Sequence, residues 1–379
     1  MSWRIVAVGR FALGRPALAR SGRAGDARQR LGRSASWHRD HLGASTPART
    51  APATIRFVTA IAIALGFSPV ARAESIPLFA QTSSAPIAYV ANSNAATVTP
   101  IDLATNTPGR AIRVGRYPDA IAITPNGKTA YVANAVSDTV TPIDLATDTS
   151  GRAIRVGSSP VAIAIAPNGK TAYVANEADD SVTAIDLATD TPSRAIRVGQ
   201  YPDAIAIAPD GKTAYVANSN AATVTPINLA TNTPGRAIRV GSGPAAIAIT
   251  PDGKTAYVAN SYVNSVTPID LATNTPGRTI RGGQGPVAIA ITPDASTAYV
   301  VDAANNSVTP IDLATDTPGR AIRVGSGPAA IAIAPDGKTA YVANSDAKTV
   351  TPIDLATNSR GRAIRVGSGP AAITIAPNG

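Results

Sequence analysis

Pro209-Asp210-Gly211-Lys212-Thr213-Ala214-Tyr215-Val216-Ala217-Asn218 decides the fold, because the chain contains near copies of it at a fixed spacing. Its tyrosine returns every 42 residues, as Tyr89, Tyr131, Tyr173, Tyr215, Tyr257, Tyr299 and Tyr341. Each copy is followed by a second recurrent stretch of the form S-V-T-P-I-D-L-A-T-[ND]-T-P-G-R-A-I-R-V-G. Pro86 to Gly379 is 294 residues, or seven such periods. A fixed period of this length is the signature of a repeat architecture.

One unit reads as four short strands. Strand A is Ala120–Thr124, in which alternation puts isoleucine on one face and alanine on the other. Pro125-Asn126-Gly127-Lys128 is a hairpin turn, since proline presets the turn and glycine supplies a positive φ. Strand B is Thr129–Ala133, strand C Thr139–Leu145 and strand D Arg152–Val156. Glycine and proline at strand spacing argue against a helical repeat. Four strands per 42 residues predict an all-β chain, a seven-bladed β-propeller of four-stranded blades. The first unit opens at strand B (Ile87–Ala91), and the last segment, Ala371–Ala376, is a strand A without successors. Pairing the C-terminal strand A with the N-terminal strand B would close the ring and remove an open face. An open solenoid would leave bare blade faces with no polar capping repeat.

The P-D-G-K-x-A-Y-V-x-N core, as in Pro209 to Asn218, and I-D-x-A-T-N, as in Ile101 to Asn106, resemble the YVTN β-propeller repeat family. That family is related to the surface-layer propellers and the seven-bladed lactonase-like group. The resemblance covers Pro86 to Gly379 and implies an exported or surface protein, with little chemistry attached. WD repeats carry Trp-Asp where this chain has Ile-Asp. The chain departs from an ordinary strand at Pro100, Pro142, Pro226, Pro268, Pro310 and Pro352, with Ala184 in the remaining unit. Proline cannot donate to a ladder, so a bulge in strand C, or pairing that ends there, is expected.

Charge is unevenly placed. Residues 1–73 hold 12 arginines and two acids, Asp26 and Asp40, which accounts for the whole formal charge of +10. The remainder has 22 basic and 22 acidic side chains, so its balance argues against nucleic acid as a partner. Phe57 to Phe67 is an apolar run after Arg56, and Ala71-Arg72-Ala73 has small residues where a signal peptidase reads. The expectation is a signal peptide cleaved after Ala73, a linker at 74–85, and export to the periplasm, cell surface or medium. An uncleaved anchor, a start nearer Leu42, or an Arg-rich transit segment are the alternatives for this long leader.

Beyond residue 73 the chain has no His, Cys, Trp or Met. Without them it offers no thiol nucleophile, imidazole base, Cys/His zinc site or disulfide. A Ser-His-Asp arrangement is ruled out. No catalytic residue, metal ligand or cofactor is assigned. The strand-C aspartates and strand-D arginines recur in nearly every unit, which suits cross-strand pairing and protection of the outer edge rather than a ligand site.

The seven copies differ mainly in two segments. The B–C loops include Glu177-Ala178-Asp179-Asp180 and Ser261-Tyr262-Val263-Asn264. The D–A segments include Arg116-Tyr117-Pro118-Asp119 and Gln200-Tyr201-Pro202-Asp203, where three other units read Ser-Gly-Pro-Ala and two read Ser158-Ser159-Pro160-Val161 and Gln284-Gly285-Pro286-Val287. Both connections fall on one rim of an up-and-down blade, and function commonly sits on loops carried by a rigid scaffold. The candidate binding residues are Arg116, Tyr117, Asp119, Gln200, Tyr201 and Asp203 near the channel mouth. Glu177, Asp179, Asp180 and Tyr262 are expected farther out. Glu177, Asp179 and Asp180 lack the spacing of a calcium loop, and a solvated acidic loop is the plainer reading. Asp119 and Asp203 as a carboxylate pair for acid–base work compete with ordinary loop carboxylates. The sequence therefore favours a non-enzymatic binding or scaffolding module. Its partner would be a protein, glycan or small ligand at the loop face. A structural surface component and a lactonase-like enzyme are the alternatives. One A–B turn, Asp294-Ala295-Ser296, has alanine where glycine recurs, at a cost of about 1 kcal/mol.

Overall fold

The computed structural model describes residues 85–377. The readings of the leader and of all but the last residue of the linker lie outside them. Among the described residues there are seven antiparallel sheets, and helix is confined to two short 3-10 turns, Glu177–Asp179 and Ser261–Val263. Blade 2 shows the pattern: strand A is Pro118–Ile123, strand B Thr129–Asn134 and strand C Thr139–Asp144. Strand A of each blade packs against strand A of both neighbours, all the way round.

Closure follows the expected route. The C-terminal Pro370–Ile375 pairs with Ile87–Asn92, placing Ala88 opposite Ile375 and Val90 opposite Ile373. Ser93 N and Oγ both donate to Gly369 O at 2.8 Å, and Ala376 N donates to Ile87 O at 2.8 Å. Blade 1 is therefore held by both ends of the described chain.

Alternation explains how blades stack. The face of blade 3 carrying Ala162, Ala164, Tyr173, Ala175 and Val182 meets the face of blade 4 carrying Ile205, Ile207, Val216 and Ile227. Small residues beside one large tyrosine receive branched residues from the next blade. The same interlock recurs between blades 2 and 3 and between blades 6 and 7. Full burial of one such isoleucine is worth about 1.5–3 kcal/mol.

Two details differ from the expected strands. Strand D is split in every blade: in blade 2, Thr149–Ser150 pairs with Asp144 and Ile143, and Ile154–Arg155 pairs with Thr139 and Val140. The gap lies opposite Thr141 and Pro142, so pairing on the outer side of strand C does stop at the proline. Blade 3 has Ala184 there and the same gap. The gap therefore permits proline and is not caused by it. Gly151 N still donates to Pro142 O at 2.8 Å, and Ser193 N to Ala184 O at 2.7 Å. Strand C carries no bulge towards strand B, where Pro142 sits opposite Tyr131. The bulge is in strand A, between Pro118 and Ala120. It places Asp119, and Asp203 in blade 4, at the extra residue.

The recurrent aspartates also have a more local task than cross-strand pairing with arginine. Asp144 Oδ1 accepts from Ala146 N, Thr147 N and Thr147 Oγ1 at 2.9–3.0 Å and so caps the C–D turn. These bonds, led by Thr147, hold the Asp144 carboxyl below the usual carboxylate range. The arginines are exposed along the outer edge.

Candidate functional site

The bulge in strand A and the two variable loops build one rim together. Ala135 N, at the start of the blade 2 B–C loop, donates to Tyr117 O at 2.8 Å, and Arg116 N donates to Ser137 Oγ at 2.8 Å. The same loop reaches forward: Asp138 Oδ1 accepts from Ser159 N at 2.9 Å. The B–C loop thus bridges the segment entering its own blade and the segment entering the next. Asp180–Tyr201, Asn264–Gly285 and Asn306–Gly327 repeat that forward bond at 2.7–2.9 Å.

The acidic loop of blade 3 is a clamp of this kind. Asp179 Oδ2 accepts from Ser158 N at 2.6 Å, Glu177 Oε2 from Ser159 Oγ at 3.1 Å, and Asp180 Oδ1 from Tyr201 N at 2.9 Å. Glu177, Asp179 and Asp180 therefore position the segments on either side of them. The bond from Tyr201 N places Asp180 directly beneath a candidate from blade 4. Among the described residues, no three His, Cys, Asp or Glu side chains converge as metal ligands.

Tyr117 and Tyr201 share an unusual backbone. Their φ values are 60° and 54°, in the left-handed region. Blades 1, 5, 6 and 7 use glycine there: Gly369, Gly243, Gly285 and Gly327. A residue with a Cβ costs about 1–2 kcal/mol in that conformation. Strain of this kind concentrates where a side chain has a use. The two tyrosines occupy the same position of the D–A segment, with one blade between them. Tyr262 comes from a B–C loop instead and covers Gly243, where an added Cβ would fall 2.6 Å from its ring.

Exposure separates the ten candidates. Tyr117, Tyr201 and Tyr262 are 36%, 48% and 63% exposed. Arg116, Gln200 and Asp179 are exposed, Glu177 and Asp180 half-buried. Asp119 and Asp203 are buried, at the strand A bulges of blades 2 and 4, with blade 3 between them. They shape the base of the rim rather than its surface. Two rim residues escaped the sequence reading, Val136 and Val263, both exposed. Their signal was an apolar side chain in a loop where other units carry Asn, Asp or Ala.

Residues 45–174 and 212–306, more than half of the chain, match the YNCE-like β-propeller family. The chain belongs to the YNCE-like β-propeller family. Within this YNCE-like propeller, residues 144–235 also match the seven-bladed β-propeller lactonase family. That stretch contains Glu177, Asp179, Asp180, Gln200, Tyr201 and Asp203. By sequence the chain matches none of the curated proteins. Hydrazine synthase of Kuenenia stuttgartiensis is similar in structure, with a TM-score of 0.63 and 26% identity over 67% of this chain and 88% of that one. A functionally unknown protein of Desulfotomaculum acetoxidans gives 0.69 and 17%, covering 77% and 99%. A candidate 6-phosphogluconolactonase of Bacteroides fragilis gives 0.67 and 18%, covering 78% and 99%. The last two show the fold alone.

Proposed function

We propose that this chain is an exported β-propeller of the YVTN repeat type whose B–C and D–A rim binds a partner at or outside the cell surface. One observation carries the reading. Among the described residues, every exposed large apolar side chain (Tyr117, Val136, Tyr201, Tyr262, Val263) lies on that one rim, in blades 2, 4 and 5. Exposed apolar groups gathered on one face mark interaction sites, whereas scattered ones carry no message. Tyrosine is well suited to such contacts, since it offers a rigid ring and a polar tip. The A–B and C–D rim, with its uniform turns, has no counterpart. The link to surface-layer proteins belongs to the same proposal and adds a place for the partner.

A lactonase-like activity is the second reading, favoured by the family match over residues 144–235. It requires the acidic and tyrosine residues of blades 3 and 4 to meet substrate. Their use in clamping the rim loops supports binding better than catalysis.

The deciding experiment is capture from cell-envelope extract by the full chain. The control replaces Arg116 to Asp119 and Gln200 to Asp203 by the Ser-Gly-Pro-Ala of other blades. A partner held by the wild type and released by a folded control is the expected result. Equal capture by both, or none by either, would remove the rim as the contact face. A lactone substrate hydrolysed by the wild type and spared by the control would favour the enzymatic reading.

A further inference from the structure

Six blades end strand B with a fully buried asparagine: Asn92, Asn134, Asn176, Asn218, Asn260 and Asn344. Each Nδ2 donates to a strand-C threonine hydroxyl at 2.9 Å, as Asn134 does to Thr141 and Asn218 to Thr225. Backbone carbonyls accept from the same amide: Asn134 Nδ2 also donates to Val132 O and Thr139 O at 3.2 Å. The site is built around a donor. Blade 6 puts Asp302 there, equally buried and in the same register, opposite Ser307. A carboxylate has nothing to donate. Thr309 Oγ1 therefore reverses its role and donates to Asp302 Oδ2 at 2.6 Å, with Ser307 Oγ at 3.3 Å. Asp302 Oδ1, like Oδ1 of each of the six asparagines, is buried with no partner in hydrogen-bonding geometry.

The segment above it has changed too. Gly282 stands where the other units carry Val114, Val156, Val198, Val240, Val324 and Val366. Gly282-Gly283-Gln284-Gly285 lacks that apolar anchor. Gly283 lies against Asp302 so closely that a Cβ would overlap the carboxyl.

Burial pushes the Asp302 carboxyl up to about 6, although Thr309, Ser307 and the Gly283 N–H each pull it down. No charged group compensates. Strand A of blade 6 (Pro286–Ile291), strand A of blade 5 (Pro244–Ile249), the blade 5 loop residues 261–264 and loop residues 303–306 carry none. On strand C the one carboxylate is Asp312, exposed at the far end, and Arg281 is exposed on the outer edge. Tyr299, on Asp302's own strand, bonds to Asn358 of the next blade.

We propose that Asp302 is a pH-operated latch beneath the rim of blade 6. Protonated, its carboxyl supplies to strands B and C the donor that asparagine supplies elsewhere, as Asn134 does to Val132 O, Thr139 O and Thr141 Oγ1. Ionised, it is a charge in a dry site made for an amide, and the end of strand B beneath Gly283 is destabilised. The folded chain holds the proton where the unfolded chain has released it, so stability falls as pH rises from about 4 to 6. Gly283 lies against the carboxyl, and Gln284 and Gly285 share the proposed contact rim with Tyr117 and Tyr201, so the latch acts directly beneath one sector of that face.

The test is urea unfolding of the full chain at pH 4 and pH 7.5 for wild type, Asp302→Asn and Asn218→Asp. Relative to Asp302→Asn, the wild-type folding equilibrium constant should fall about fifty-fold between the two pH values. Asn218→Asp should add a comparable loss in blade 4. A carbon-detected titration of the Asp302 carboxyl in the wild type should have its midpoint near 6. Parallel pH profiles for wild type and Asp302→Asn, or a carboxyl midpoint in the ordinary aspartate range, would overturn the latch. If the substituted chains do not fold, the carboxyl titration decides alone.

Discussion

The Tyr131 hydroxyl of blade 2 donates to Asp190 Oδ1 of blade 3 at 3.2 Å, tying strand B of one blade to the C–D turn of the next. Tyr89–Asp148, Tyr173–Asn232 and Tyr299–Asn358 repeat the bond at 2.9–3.4 Å, always 59 residues apart. The acceptors sit at φ 53–54°, in a left-handed turn that favours Asn or Asp. Ring and turn therefore specify each other across the blade boundary. Tyr131→Phe keeps the packing and removes the bond, so it should cost about 1 kcal/mol in urea unfolding. Tyr131→Ala also leaves a cavity and should cost about 3–5 kcal/mol. No loss in Tyr131→Phe beside a full loss in Tyr131→Ala would show that the hydroxyl contributes nothing.

The A–B turn of blade 6 is the weakest of its kind. Ala295 has φ 59° where Gly127, Gly169, Gly211, Gly253 and Gly337 lie between 69° and 72°. The turn forms all the same, with Ser296 N bonded to Asp294 Oδ1 at 3.0 Å. Ala295→Gly should raise stability by about 1 kcal/mol, seen as a higher unfolding temperature. A lower one would mean that the alanine methyl makes a contact worth more than the strain.

Tyr117 and Tyr201 should show opposite signs in two assays. Replacing either by glycine relieves the positive φ, offset in part by the added freedom of the unfolded chain. Stability should hold or rise by up to about 1 kcal/mol. Capture of the rim partner should drop, since an exposed ring is lost. Destabilisation together with intact capture would make these tyrosines structural.

The fold was legible because its period is long, exact in length and punctuated by Gly and Pro where strands turn. The rim was legible because the units differ there and hardly anywhere else. The clamp formed by Asp138 and Asp180 was not legible. Each bonds to a backbone N–H 21 residues onward, and that proximity exists only once blades are curled into a ring. The split of strand D was half legible. Six prolines announced that pairing stops, yet Ala184 shows that backbone geometry, rather than proline, sets the stop. Asp302 could have been found by comparing the last residue of seven strands, since it alone breaks a run of asparagines.

The acid side of the stability curve has a second origin. Hydrogen bonds within the C–D turns hold Asp144, Asp186, Asp270, Asp312 and Asp354 below the usual carboxylate range. A depressed carboxyl stabilises the fold above its unfolded value of 3.8, and that contribution is lost as pH falls below it. Asp302 acts in the opposite direction, removing stability as pH climbs towards 6. Unfolding temperature should therefore peak near pH 4 and fall from there towards pH 6. At the alkaline end, burial and then Asp190 raise the Tyr131 phenol to about 12. Unfolded tyrosine ionises near 10, so stability should decline again above about pH 10. A curve flat from pH 4 to 8 would contradict the Asp302 arm.

Blade 3 carries a paired exchange that tests the split edge directly. In the other six blades a glycine faces the strand-C proline, and a Cβ on it would lie 3.0–3.2 Å from the proline Cγ. Blade 3 has Ala184 in place of the proline and Ser193 in place of the glycine. Without the pyrrolidine ring there is room for the serine Cβ. Ala184→Pro alone should press the ring against Ser193 and cost about 1–2 kcal/mol. Ser193→Gly alone should cost about 0.5–1 kcal/mol through backbone freedom. Together they rebuild the edge of the other blades, so the double variant should be more stable than the sum of the singles by about 1 kcal/mol. Simple additivity in urea unfolding would mean that the two positions do not meet, and that the exchange in blade 3 has no steric cause.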